Sequence, residues 1–156
     1  MHIYSLDELN TFIVKAKSAT YVGDGIESPP LRPGSHDLKF QDEQFLYLDS
    51  YFGGSDFLGQ EVVYLKESPI WAMNYYGRIL DAKRITAATA GKIIKESLSQ
   101  LYGEGRFLGG YKYTVDDYEY FDTNQGDFTS FMGKEWINLG NIKVYELVYH
   151  GGLIED

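Results

Sequence analysis

The chain has 156 residues, 44% of them hydrophobic and 24% charged, with a formal net charge of −9; this is the composition of a folded domain with a sizeable core, not of a disordered segment. That acidity excludes a basic face for nucleic-acid phosphates and disfavours anionic membrane surfaces, while the absence of cysteine excludes disulfides, thiolate metal sites and a cysteine nucleophile. There is no apolar run long enough for a transmembrane helix and no basic-then-apolar leader after Met1, so a cytoplasmic location is expected.

The first element is a helix. Ser5-Leu6-Asp7-Glu8 fits a capping box, and Leu6, Leu9, Phe12, Ile13 and Ala16 recur at helical spacing. The helix is expected to end near Thr20, before Gly23-Asp24-Gly25, and Glu27 to His36, with Pro29, Pro30, Pro33 and Gly34, reads as an irregular loop. Strands are expected at Leu38–Gln41, Gln44–Tyr51, Phe57–Lys66 and Ile70–Arg78, joined by connections short enough for an antiparallel meander. Thr86 caps a second helix running to about Tyr102, packed through Ala90, Ile93, Ile94, Ser97, Leu98 and Leu101. A second strand set follows at Tyr111–Thr114, Asp117–Thr123, Asp127–Ile137 and Ile142–His150.

The order of helix and four strands, taken twice, suggests an internal repeat. Lys39, Tyr47, Asp49 and Gly53 align with Lys112, Tyr120, Asp122 and Gly126, and Phe57, Gly59, Glu61, Leu65, Tyr75 and Gly77 with Phe131, Gly133, Glu135, Leu139, Tyr149 and Gly151. The expected fold is therefore α+β, a single domain over residues 1–156. It would be a tandem duplication of a helix-plus-four-strand unit, residues 1–82 and 83–156, with mostly antiparallel sheet and pseudo-twofold symmetry. Paired modules of this kind create a cleft between the copies, by analogy with vicinal-oxygen-chelate and SOUL/GyrI-like arrangements.

Strand alternation then sorts the residues. Trp71, Met73 and Tyr75 share a face with one another, as do Tyr145, Leu147 and Tyr149, and this face should pack against the helices. The opposite face differs between the halves, with Asn74, Tyr76 and Arg78 in one and Glu146, Val148 and His150 in the other. Equivalence is not required of it, which makes it the better place for a site. The candidate ligand-binding residues are Arg32, His36, Tyr51, Asn74, Tyr76, Arg78, Glu146 and His150, with the Pro-rich Arg32–His36 loop as a semi-rigid cover. Asp49 and Asp122 read as Asx-type turn formers beside Gly53 and Gly126. Glu61 and Glu135 are either a functional carboxylate pair at the pseudo-twofold interface or bind Lys or Arg partners, or water. No metal site is expected, because Glu146 and His150 lie roughly 13 Å apart along one strand, and no phosphate loop or Gly-x-Ser-x-Gly elbow is present. No cofactor is implied.

Several stretches resemble an uncharacterised bacterial family, a domain of unknown function. They are Arg32-Pro33-Gly34-Ser35-His36-Asp37, Asp49-Ser50-Tyr51-Phe52-Gly53-Gly54, Trp71-Ala72-Met73-Asn74-Tyr75-Tyr76-Gly77, Gly105-Arg106-Phe107-Leu108-Gly109-Gly110 and Tyr149-His150-Gly151-Gly152. In some members the domain looks to be fused behind a Cro/CI-like helix-turn-helix, which implies a sensor or interaction module there. This chain carries no such segment, and the resemblance brings no catalytic residues with it. The expected function is a small-molecule-binding or sensor domain, with no direct nucleic-acid or membrane partner and the oligomeric state left open. The alternatives are a hydrolase or isomerase using His150 and carboxylates as general acid and base, and a protein-interaction module presenting aromatics around Phe52-Gly53-Gly54.

Overall fold

A computed structural model describes residues 3–22 and 26–155; the readings placed on His2 and on Gly23-Asp24-Gly25 lie outside them. Helix α1 spans Leu6–Lys17, and the capping box forms: the Glu8 N–H donates to Ser5 Oγ at 3.1 Å and the Ser5 N–H to Glu8 Oε2 at 2.7 Å. It runs straight into a π-helical turn, Ser18–Val22. Helix α2 spans Ala87–Gly103, capped by Thr86, whose Oγ1 accepts the Thr89 N–H at 3.1 Å. The strands are β1 Ile26–Ser28, β2 His36–Asp42, β3 Phe45–Gly53, β4 Asp56–Leu65, β5 Ser68–Ile79, β6 Tyr111–Val115, β7 Tyr118–Asp127, β8 Ser130–Leu139 and β9 Ile142–Leu153.

All nine strands form one antiparallel sheet in the order β1-β2-β3-β4-β5-β9-β8-β7-β6. This corrects the expected architecture. The α+β class holds, but two helix-plus-four-strand units are not evident. Among the described residues one half contributes five strands and the other four, the π-helical turn occurs in the first half alone, and β5 and β9 are hydrogen-bonded from Trp71↔Leu153 to Ile79↔Tyr145. These strands join the two halves into one continuous sheet, with no gap between them. Each would otherwise leave a row of unpaired N–H and C=O groups, and pairing them satisfies both. The segment read as loop contributes β1, three residues paired to Asp37–Lys39 of β2.

Both helices lie on one face of this sheet, which is the helix side; the other is the open side. The helix side holds the core, with Tyr47, Val63, Trp71, Tyr75, Tyr120, Ile137, Tyr145, Leu147 and Tyr149 buried under Leu9, Phe12, Ile13, Ile93, Ile94, Leu98 and Leu101. Trp71 stacks on Phe131 at 5.9 Å and donates its indole N–H to the Phe128 carbonyl at 2.9 Å. The open side carries no helix, so Leu58, Tyr76, Met132 and Val148 stay exposed.

Candidate functional site

The helix side buries four carboxylates, Asp49, Glu61, Asp122 and Glu135, with at most 5% of any of them exposed. Burial of ionised groups is costly unless each is paired and hydrogen-bonded, so their partners matter. Cross-strand register sets them out in two pairs: Asp49 of β3 stands opposite Glu61 of β4, and Asp122 of β7 opposite Glu135 of β8. Tyrosine hydroxyls supply most of the donors. Tyr47 donates to Glu61 at 2.7 Å and Tyr75 to Asp49 at 2.7 Å. In the other half Tyr149 donates to Asp122 at 2.7 Å, Tyr120 to Glu135, and Tyr145 to Glu135 at 3.3 Å.

Two glycines make the longer of these reaches fit. The rings of Tyr75 and Tyr149 cross β4 and β8 above Gly59 and Gly133, where a Cβ would collide with the phenol. Each ring thus spans a whole strand to meet an aspartate on the next one. Asp49 and Asp122, read from sequence as turn formers, are instead acceptors within the sheet.

One cation joins the network. Lys17, at the last turn of α1 and 3% exposed, donates to Glu61 Oε2 at 2.6 Å, contacts Met73 Sδ at 3.7 Å and lies 5.2 Å from the Phe107 ring centroid. A single ammonium among four carboxylates leaves a deficit of positive charge. Burial pushes the Asp49 carboxyl up to about 7, reinforced by the neighbouring Glu61 charge. Burial likewise lifts Glu135 to about 7, with Asp122 adding to it, and lifts Asp122 itself to about 6. The network is therefore held together partly by protons near neutral pH.

These groups converge on an internal chamber of about 50 Å³, walled by Lys17, Glu61, Asp122, Glu135, Tyr149 and, from α2, Leu98 and Tyr102. A water needs about 10–15 Å³, so the chamber takes a few water-sized groups. Tyr75 also walls a larger recess of about 280 Å³ that includes Asp49, Tyr51 and Phe57. Among the described residues, Asp49 Oδ2 is buried without a hydrogen-bond partner.

The residues singled out from sequence fall into three groups. Arg32, Asn74, Tyr76 and His150 share an open-side concavity of about 360 Å³. Asn74 stands opposite His150 in the sheet and accepts from Gln60 at 2.8 Å, while Arg32 reaches Ser50 at 3.0 Å and lies over Phe52. The loop bearing Arg32 is pinned by Asp37, which accepts from the Leu31 N–H at 3.0 Å and from Ser35 at 2.6 Å. Arg78 and Glu146 are bonded to each other at 2.9 Å in the next row of the same face. His36 and Tyr51 lie with tilted rings 5.0 Å apart as partners across β2 and β3, and Tyr51 lies at the helix-side recess instead. The sheet separates His150 from the four buried carboxylates, so that acid–base set is not brought together. Among the described residues no group of three or more His, Cys, Asp or Glu side chains is placed to hold a metal ion, and no helix is long and apolar enough to cross a membrane.

Fold and site together define an α+β domain built on one nine-stranded antiparallel sheet, with a carboxylate–tyrosine network sealed between the sheet and two helices. Residues 49–154 match the family described as Domain of unknown function (DUF5680), and the chain belongs to it. No curated protein and no solved structure matches it.

Proposed function

We propose that the chain is a small-molecule-binding domain, acting as a sensor, and that its ligand is received on the helix side of the sheet, where the recess of about 280 Å³ adjoins the carboxylate–tyrosine chamber. The observation that carries this reading is the convergence of Lys17, Glu61, Asp122 and Glu135 on one space, with the Asp122 and Glu135 carboxyls raised to about 6 and about 7. Perturbed ionisable groups lining a cavity are a recognised mark of a functional site. The resemblance to domains joined to helix-turn-helix segments accords with a sensor role.

A thermal-shift screen of metabolites and divalent ions tests it. At least one compound should raise Tm, and Glu135→Gln or Asp122→Asn should reduce that shift at least by half. A stabilising compound insensitive to both variants would move the site elsewhere, and turnover of it would make the domain an enzyme.

A second reading rests on the open-side concavity, where an amide, a phenol, an imidazole and a guanidinium meet around about 360 Å³. A compound bound there would lose its shift in His150→Ala and keep it in Glu135→Gln.

A further inference from the structure

The recess beside the chamber has a chemistry of its own. It is lined by the aromatic residues Tyr51, Phe57 and Tyr75 together with Leu38, Thr20 and Asp49. Phe57 and Tyr75 meet edge to face at 6.0 Å. The Tyr75 hydroxyl satisfies Asp49 Oδ1, and among the described residues Oδ2 has no donor although Asp49 is 1% exposed. Leaving a buried carboxylate oxygen without a donor is costly, and the fold retains it. The neighbouring charges do not relieve it. Glu61 and Asp37 repel further negative charge at Asp49, and only Lys17, bonded to Glu61, opposes them.

We propose that this recess binds the head group of a small organic cation, an amine or methylated ammonium, with Asp49 Oδ2 as counter-ion and the Tyr51, Phe57 and Tyr75 rings as walls. Aromatic faces attract a cation through the ring quadrupole, and more strongly once it is desolvated. A hard metal ion requires several oxygen ligands, whereas one free carboxylate oxygen among three rings suits a soft, bulky cation. Tyr75 lies between recess and chamber, so the head group would sit at Asp49 while a polar tail reaches toward Glu61 and Lys17. The inference rests on the reading that the helix side receives the ligand, and it adds the ligand's charge and orientation.

Calorimetric titration of the full chain with methylamine, tetramethylammonium, choline and benzylamine, and with 3,3-dimethyl-1-butanol as the uncharged isostere of choline, tests it. At least one of the cations should bind, and the alcohol at least tenfold more weakly than choline if choline is the binder. Asp49→Asn should weaken the bound cation at least tenfold. Tyr51→Leu, at a half-buried position that leaves the carboxylate network intact, should weaken it several-fold. Equal binding of choline and its isostere, unchanged affinity in Asp49→Asn, or no binding by any of the four cations overturns the proposal. If neutral or anionic compounds instead bind in a Glu135-dependent way, the cation class fails and the helix-side site survives; a blank result for every class removes both.

Discussion

On β3 and β4, Asp49 and Glu61 share their burial with Lys17; on β7 and β8, Asp122 and Glu135 have tyrosine donors, and among the described residues no ammonium or guanidinium is bonded to them. The tyrosine chemistry is alike in the two regions, and the means of charge compensation is not. A fixed cation answers Glu61 directly, whereas Glu135 has Tyr145 as a second hydroxyl donor and a carboxyl raised to about 7. Glu61 in the first region is therefore neutralised by a side chain, whereas Asp49 beside it and both acids of the second region are compensated by protons. An unpaired buried charge costs several kcal/mol, so each region should fail under a different perturbation.

The largest expected effect is in the first region. Lys17→Met removes the cation and leaves Glu61 buried and uncompensated, which should cost about 3–5 kcal/mol in urea unfolding. Adding Glu61→Gln should restore more than half of that loss, because the pair, not the methionine, carries the cost. An additive double variant would show that the two side chains do not act together.

The second region should respond to pH. Asp122 and Glu135 have carboxyls raised to about 6 and about 7, above the ordinary unfolded range near 4. The folded state then binds more protons than the unfolded state between about pH 4 and 7, so stability is fully present at the acid end and falls as pH rises through 6 and 7. At about 1.4 kcal/mol per pH unit for each group, Glu135 alone accounts for roughly 3–4 kcal/mol of that decline. Asp49, raised to about 7 in the first region, contributes in the same direction. Glu135→Gln should flatten the stability profile over this window; an unchanged slope would mean the second region is not proton-compensated.

The fold was legible where periodicity and punctuation speak. Ser5 and Glu8 name one helix start and Thr86 the other, and alternation places Trp71, Tyr75, Tyr145 and Tyr149 toward the helices. Strand order was not legible, because nothing local distinguishes two facing units from β5 and β9 joined in one sheet. Ile26–Ser28 was lost among prolines because three residues give no periodic signal. The carboxylates were visible as unusual residues in aromatic strands, but their partners were not. A Tyr75 or Tyr149 ring reaches Asp49 or Asp122 only across a third strand, a relation that sequence spacing does not encode. Lys17 left one overlooked mark: it follows Ile13 by one helical turn and so stands on the apolar face of α1.

The glycines beneath the two rings sharpen the comparison at a smaller scale. Gly59→Ala and Gly133→Ala each push a tyrosine off its aspartate, at about 1–3 kcal/mol for the crowding. Gly59→Ala should be the worse of the two. Each Cβ also meets the strand beyond, Tyr51 Cβ from Gly59 and the Thr123 carbonyl from Gly133, but only the first change would leave both oxygens of Asp49 without donors, since Oδ2 already has none among the described residues. Equal losses in urea unfolding would mean the orphaned oxygen carries no energetic weight.

The smallest effect is expected where the regions meet. Arg78 and Glu146 join β5 to β9 across the open side, with side chains 49% and 33% exposed. Water solvates both charges before and after folding, so their attraction is screened and the ordering of two long side chains offsets it. The seam is held instead by the backbone ladder from Trp71 to Ile79 and by the buried tyrosines behind it. Arg78→Ala should therefore leave the urea midpoint unchanged within measurement error at low and at high salt. A midpoint that falls at low salt and recovers at high salt would instead expose a repulsion within this acidic chain that Arg78 relieves, and the seam would then be electrostatic after all.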